Sequence, residues 1–339
     1  MTTTRHFDHV AGTLRTPAAR GFRDDRELVR LATLAASSHN TQPWRFRLDT
    51  DSITILPDRS RRCRVVDPDD AHLYRSLGCA TENLVHAAAA QGLAADVRYD
   101  ESGDAIVVQL RPSDDALRTA LVGAITTRQS TRQPFNGTSL KAEELALLER
   151  AGTGHGVRAV LVTDQSHLTK IGDLVARGDT AQLNDSEFRR ELVSWIRFNP
   201  TAAERSGDGL AGRCSGNPSL PTWLARRLSK LILRAGAQVD RDTKNLRSSA
   251  GVAVFVAACD DRPGWIETGR ACQRFALQAA VLDVRTAFVN QPIEVLPLRP
   301  QLESLLALDG EHAQLAMRFG HGGLAPYSLR RPLDEVIDR

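Results

Sequence analysis

Apolar positions Leu28, Leu31, Leu34 and Ala35 recur at helical spacing behind the acidic pair Asp24-Asp25. The pattern stops at Ser37-Ser38-His39-Asn40, and Pro43 confirms the break. The segments WRFRLD and SITILP then read as short strands around a turn at Thr50-Asp51-Ser52. A basic loop follows, and the spacing predicts a long alanine-rich helix over about 73–92. The order is helix, hairpin, helix.

The second half repeats parts of this pattern. Leu117, Leu121 and Ile125 predict an amphipathic helix ending at Arg128-Gln129-Ser130-Thr131-Arg132, with Pro134 just beyond, and Lys141 to Arg150 predict a further one. Residues 158–164 and 250–260 read as strands and Gly269 to Val284 as a second long helix. An offset of 191 pairs Gly78 with Gly269, Ala80 with Ala271, Leu84 with Phe275 and Ala88-Ala89 with Ala279-Ala280. The halves are complementary rather than equal. The first helix leads into SSHNTQPW, whereas its counterpart leads into GTGHGVRAV, and RQSTR has no equivalent before residue 25. Each half keeps a different part of what reads as one site.

Length fits two units, since 339 residues exceed one ordinary domain and match two of roughly 150–170. The composition, 42% hydrophobic and 25% charged with a mean hydropathy of -0.28, excludes disordered and collagen-like classes. A net charge of +3 gives no chain-wide reason for a polyanionic partner, so an anion site must be local. The five cysteines are odd in number, form no C-x-x-C pair and lack zinc-ligand spacing, which points to a reduced, cytoplasmic chain without a metal. MTTTRHFDHV has no apolar leader core, and Ala250 to Cys259, the longest apolar stretch, is far below the roughly 20 residues of a membrane span. His6 and His9 fall in a terminus expected to be mobile. No G-x-G-x-x-G follows a strand, so a Rossmann dinucleotide site is not expected.

Two strings carry chemistry. Arg128, Ser130 and Arg132 alternate along an extended segment, so two guanidiniums flanking a hydroxyl can face one phosphate, although such a string also suits a solvated turn. Ser37, Ser38 and Asn40 suit the capping of a helix C-terminus, but the eight-residue run through Gln42-Pro43-Trp44 has few explanations as a cap alone.

With these residues in view, the sequence resembles the nitroreductase superfamily of FMN-binding oxidoreductases. The resemblance rests on R-x-S-x-R at 128–132, S-S-H-N-T-Q-P-W at 37–44, the helix running into FVNQPIEV, and the late Arg-Phe-Gly strand and arginine pair. It covers most of residues 20–339 and is similar to the single-chain pseudo-dimers of the Acg type. It implies an α+β fold, nitroreductase-like and duplicated, with mixed or antiparallel sheets flanked by long helices. The halves would be 1–112 and 113–339, with a lid insertion over about 165–249. It also implies one FMN, with Arg128, Ser130 and Arg132 on its phosphate, ribityl and pyrimidine side and Ser37, Ser38 and Asn40 supplied by the other half. Pro292, Ile293 and Glu294 match a segment whose backbone faces flavin N5, and Arg330 or Arg331 matches a residue that reaches the phosphate. No side-chain acid is required, because the flavin relays hydride. Asp283 stands where the family usually has glycine.

The insertion departs from an ordinary connection. Residues 213–247 hold eight Lys/Arg against two Asp, and Leu224, Leu228, Leu231 and Ala235 predict one apolar stripe on a basic helix. Such a helix can bind membranes or nucleic acid; the resemblance implies instead a lid, with Trp223 and the stripe against the flavin. Three functions follow. The first is a reductase of nitro- or quinone-type acceptors with NADH or NADPH as transient donor. The second is a protein that stores FMN under a closed lid. The third is a lipid- or nucleic-acid-binding module. The expected state is a monomer acting as an internal pseudo-dimer, without nucleic acid or a membrane span.

Overall fold

The computed structural model describes residues 2–17, 23–114, 119–216, 219–227 and 233–338. The first sheet holds β1 (Trp44–Leu48), β2 (Ser52–Pro57), β3 (Leu93–Asp100) and β4 (Ala105–Pro112), in the order β1-β2-β4-β3 and antiparallel throughout. Later in the chain come β5 (Val157–Val162) and a short parallel pair, β6 (Ile196–Arg197) and β7 (Leu210–Ala211). The second sheet is completed by β8 (Gly251–Ala257), β9 (Arg285–Phe288) and β10 (His312–Gly320). Its order is β5-β8-β10-β9, again antiparallel. Each sheet therefore places its first, second, fourth and third strands side by side, and in each a twenty-residue helix joins the second strand to the third. This is an α+β architecture of two antiparallel sheets flanked by long helices.

Those two helices, Ala71–Ala90 and Arg262–Val281, pack on each other where the sequence offset pairs two glycines. A Cβ on Gly78 would lie 2.1 Å from the Ile266 carbonyl oxygen, and one on Gly269 would lie 2.0 Å from that of Arg75. The same offset carries one contact onto the other. Only glycine lets the backbones approach this closely. One turn further, Glu82 is buried between Arg270 at 3.0 Å and Arg274 at 3.2 Å, while Gln273 Nε2 donates to Asn83 Oδ1 at 2.7 Å.

Several local expectations are refined. Asp24 caps the helix Asp25–Thr33 by accepting from Glu27 N. The second long helix begins seven residues before the expected Gly269, because Pro263 suits a first helical turn and Asp261 caps it through Gly264 N. Asp283, just past that helix, has φ of 56°, the left-handed conformation that glycine adopts without strain and Asp tolerates. The helix expected from Leu117 to Ile125 is confined to Leu121–Ala124, and Leu117 lies outside the described residues. The N-terminus is not a loose tail: helix Thr2–Thr13 buries Phe7 and Ala11 against Ala203, Ala211, Cys214 and Leu329. The chain end returns to the first sheet, where Ile337 bridges Phe46 and Val336 joins the core.

The segment between β5 and β8 carries helices Gln165–Asn184, Ser186–Trp195, Pro200–Ser206, Thr222–Arg227 and Ala235–Arg247. The single basic helix expected around 224–235 is not formed as one element; its center, with Leu228 and Leu231, lies outside the described residues. Trp223 is 66% exposed, so it does not pack inward as the lid expectation requires.

Candidate functional site

Residues from the first sheet's side of the chain, from the segment between β5 and β8, and from the second sheet's side wall one cavity of about 340 Å³, within the range of small-molecule sites. The first half supplies Ser37, Ser38 and His39, and the long helix adds His72, Arg75, Ser76 and Cys79, spaced three and four apart along one face. The second half supplies Arg132, Leu315, Arg318 and the run Ala287 to Gln291 with Glu294. The insertion contributes a second helical stripe, Arg234, Ala237, Gln238, Arg241, Asp242 and Asn245, together with Asp179, Phe188 and Leu192.

The loop after helix Asp25–Thr33 is strained where it meets the cavity. His39, Asn40 and Gln42 have φ of 49°, 54° and 54°, a density of left-handed residues that persists only when surroundings enforce it. The bonds that enforce it come from remote segments. Asn40 Nδ2 donates to Gly209 O at 3.2 Å and Leu329 O at 3.3 Å, and its Oδ1 accepts from Arg330 Nη1 at 3.1 Å. Gln42 Nε2 donates to Gly207 O at 2.9 Å, while its Oε1 accepts from Arg331 N at 2.9 Å. Ser37 Oγ accepts from Gln42 N at 3.1 Å.

Burial sets the protonation of the walls. Desolvation, with the charge of Arg132, lowers the His39 pKa to about 4, so this imidazole is neutral at pH 7. Burial also drives His72 well below its ordinary value. Arg75 Nη1 donates to His72 Nδ1 at 3.4 Å, which leaves the ring proton on Nε2, 3.6 Å from Glu294. Glu294 is raised to about 7 by burial, against the donation of Gln182 Nε2 to its Oε2 at 2.7 Å. Cys63, 3.8 Å from His39 Nδ1, has its thiol pKa pushed up by burial and by nearby carboxylates, so it is no thiolate nucleophile.

Arg132 donates to Ser215 Oγ at 3.2 Å and has no carboxylate within 4 Å among the described residues. The same holds for Arg75, which donates to Gln314 Oε1, and for Arg318, whose Nη2 donates to the carbonyls of Thr131 and Gln133 at 3.0 and 2.9 Å. Three guanidiniums without a carboxylate in direct contact among the described residues, on a partly apolar wall, suit an anion-bearing ligand.

Of the residues singled out in the sequence, Ser37, Ser38, Arg132 and Glu294 line the cavity. Arg128 is turned away, its Nη2 donating to Leu34 O at 2.9 Å, and Ser130 pairs in register with Thr286 beside β9. Arg330 binds the carbonyls of Thr33, Leu34 and Ala35, closing the C-terminal end of helix Asp25–Thr33. Arg331 faces Asp58 at 3.5 Å and Glu335 at 3.7 Å. Pro292 and Ile293 are buried beside the cavity, and the N–H groups of Ile293 and Glu294 both donate to Asn290 O. His39 and Arg318 stand inside quoted motifs but were given no role, and residues the sequence did not point to are the helix face from His72 to Cys79 and Arg15. The last lies over Tyr327 and donates to the carbonyls of Thr126 and Arg128, both at 3.1 Å. The three- and four-residue spacing of His72, Arg75, Ser76 and Cys79 was the available signal, because polar residues on the inner side of a buried helix need a reason.

No family model matches the chain. It is 26% identical over 325 residues, 92% of its length and 90% of the relative's, to a Mycobacterium tuberculosis protein named "Putative NAD(P)H nitroreductase Rv3131". A second protein of that organism, named "Putative NAD(P)H nitroreductase acg", is 23% identical over 329 residues, covering 92% of this chain and 94% of that one. Among solved structures, a nitroreductase with bound FMN from Desulfitobacterium hafniense aligns at a TM-score of 0.42 and 11% identity, over 65% of this chain and 98% of that one. Nitroreductase A from Vibrio parahaemolyticus aligns at 0.40 and 14%, over 65% and 76%. The similarity to the two mycobacterial relatives extends over 92% of the chain.

Proposed function

We propose that the cavity holds FMN and that the chain is an NAD(P)H-dependent flavin reductase of nitro- or quinone-type acceptors. The observation that carries this reading is Arg132, a cation on the cavity wall without a carboxylate in direct contact among the described residues, in a chamber also lined by Ser37, Ser38, Leu315 and Phe288. A phosphate-bearing, largely apolar planar ligand satisfies both features, and the printed names of the two mycobacterial relatives give the matching activity class.

FMN, when bound, supplies the two-electron chemistry. The chain's own contributions follow from the geometry. Arg132 anchors the anionic end and Ser37 and Ser38 present hydroxyls beside it. The Gln291 N–H, which no backbone group takes among the described residues, is the donor that the Pro292 to Glu294 turn offers to the cavity. Of the arginine pair, Arg331 is neutralised by Asp58 and Glu335, so Arg330 is the one whose charge reaches the loop through Asn40. Neutral His39 and His72 add hydrogen-bonding capacity without adding charge.

The shared strand order of the two sheets and the matched glycine contacts support reading the chain as an internal pseudo-dimer with one FMN per monomer. Its five free cysteines fit a reducing cytoplasm. A storage role remains the second reading, favoured by the insertion helix Ala235–Arg247, whose inner stripe walls the cavity and restricts a bulky donor. Anaerobic mixing of the flavin-loaded chain with NADPH separates the two: fast loss of flavin absorbance marks the reductase, and loss only by chemical reduction marks storage.

A further inference from the structure

Three segments remote in sequence meet at one side chain beneath the insertion. Gln291 Nε2 donates to Asp179 Oδ1 at 3.0 Å and to Asp242 Oδ2 at 3.2 Å, so both carboxyl groups lie within hydrogen-bond reach of one nitrogen. Asp179 belongs to helix Gln165–Asn184, Asp242 to helix Ala235–Arg247, and Gln291 to the turn against the cavity. Gly178 makes the approach possible, since a Cβ there would lie 2.6 Å from Gln291 Cβ. Asp179 is 3% exposed, and its Oδ2 is fully buried without a partner. A buried carboxylate oxygen left bare beside a second carboxylate is costly; a proton on it removes the cost.

We propose that Asp179 and Asp242 share one proton, and that this proton fastens the two insertion helices to Gln291 and so holds the cavity roof closed. The inference concerns the chain itself and stands whether or not FMN is the ligand. The charges around the pair favour the arrangement. Asp242 faces Arg132 and Arg318, which feel its negative charge, and it accepts from Gln238 Nε2 at 2.9 Å. Asp179 also feels the charge of Glu294, which like that of Asp242 opposes its ionisation, while Arg241 and Arg132 line the same cavity. Burial and the charge of Asp242 raise the Asp179 pKa to about 8. Asp179 acts here as a positioning residue, setting Gln291 rather than reacting.

The sign follows from linkage. In the closed form Asp179 holds its proton up to about pH 8, whereas in an opened roof it ionises as an ordinary carboxyl near 3.8. Opening therefore becomes easier by about tenfold per pH unit between roughly 4 and 8 and levels off above. Native-state hydrogen exchange on the cofactor-free chain, corrected for intrinsic exchange rates and followed from pH 5 to 9 in helices 165–184 and 235–247, reads this opening directly. Glu294, raised to about 7, adds its own slope if it is uncovered too, so the decisive quantity is the difference between variants. Asp179→Asn, whose amide reproduces the protonated acid, should lower the slope by a factor of ten per unit. Asp242→Asn keeps the burial but removes the neighbouring charge, and should make the rise level off at a lower pH. A wild-type slope of zero, or the wild-type profile retained in both variants, overturns the proposal. Flavin content and reduction rate, measured separately, test the proposed function and do not enter this result.

Discussion

Replacing Gly269 by alanine probes the contact that joins the two long helices Ala71–Ala90 and Arg262–Val281. The added Cβ would sit 2.0 Å from the Arg75 carbonyl oxygen and 2.8 and 2.9 Å from its C and Cα, all backbone atoms of a buried helix. Ordinary contact begins at 3.4 Å, so the helices must separate by about 1.4 Å locally. A gap of ~0.5–1 Å already forfeits a quarter to a half of each dispersion contact, and overpacked cores lose ~1–3 kcal/mol. With no side chain able to yield, a loss of about 3 kcal/mol is expected in urea unfolding. Gly172→Ala is the control, since a Cβ there meets nothing within 4 Å in helix Gln165–Asn184, and it should gain up to about 1 kcal/mol. The same separation moves Arg75, Ser76 and Cys79 on the cavity wall, so FMN affinity should fall with stability in Gly269→Ala and hold in the control. A loss below about 1 kcal/mol with unchanged affinity would refute the account of the crossing.

Charge-assisted hydrogen bonds contribute roughly 1.5–3 kcal/mol, so Arg132→Ala should weaken FMN binding by about ten- to a hundredfold, measured by flavin fluorescence, with the thermal transition retained. Glu294, with its pKa raised to about 7, should make unfolding free energy fall by up to ~1.4 kcal/mol per pH unit between about pH 4.5 and 7; Glu294→Gln should remove that share in urea titrations at several pH values. Trp223→Ser should change stability by less than about 0.5 kcal/mol and leave FMN affinity alone, because the ring is already exposed; a tenfold loss of affinity would restore the inward lid contact.

The regular parts of the fold were legible because local chemistry and packing agree there. Asp24 reads as a cap and acts as one, and the glycine pairing at the helix crossing is visible as an offset before any contact is known. β3 and β4 carry strand marks that pass easily for surface loop: Val97 and Tyr99 alternate with Asp96, Arg98 and Asp100, and Ile106, Val107 and Val108 form a short β-branched run. The start of the second long helix was masked by Pro263 and Gly264, breakers inside a helix but acceptable in its first turn. At the site, the strained loop announced itself through SSHNTQPW, whose polar residues exceed what a cap needs. Asp179 and Asn245 could not be found this way, since each is an ordinary residue of its element and acquires a role only when remote segments meet around the cavity. Arg128 and Arg330 show the converse, motif arginines held by helix-end carbonyls.

The central claim is that this cavity binds FMN once per chain and passes electrons through it. Reconstituting the purified chain with FMN, removing the excess and titrating anaerobically with NADPH measures both parts in one cuvette. The account predicts one flavin per chain and full loss of its visible absorbance at one equivalent of NADPH. A chain that retains no flavin, or that retains two, contradicts it.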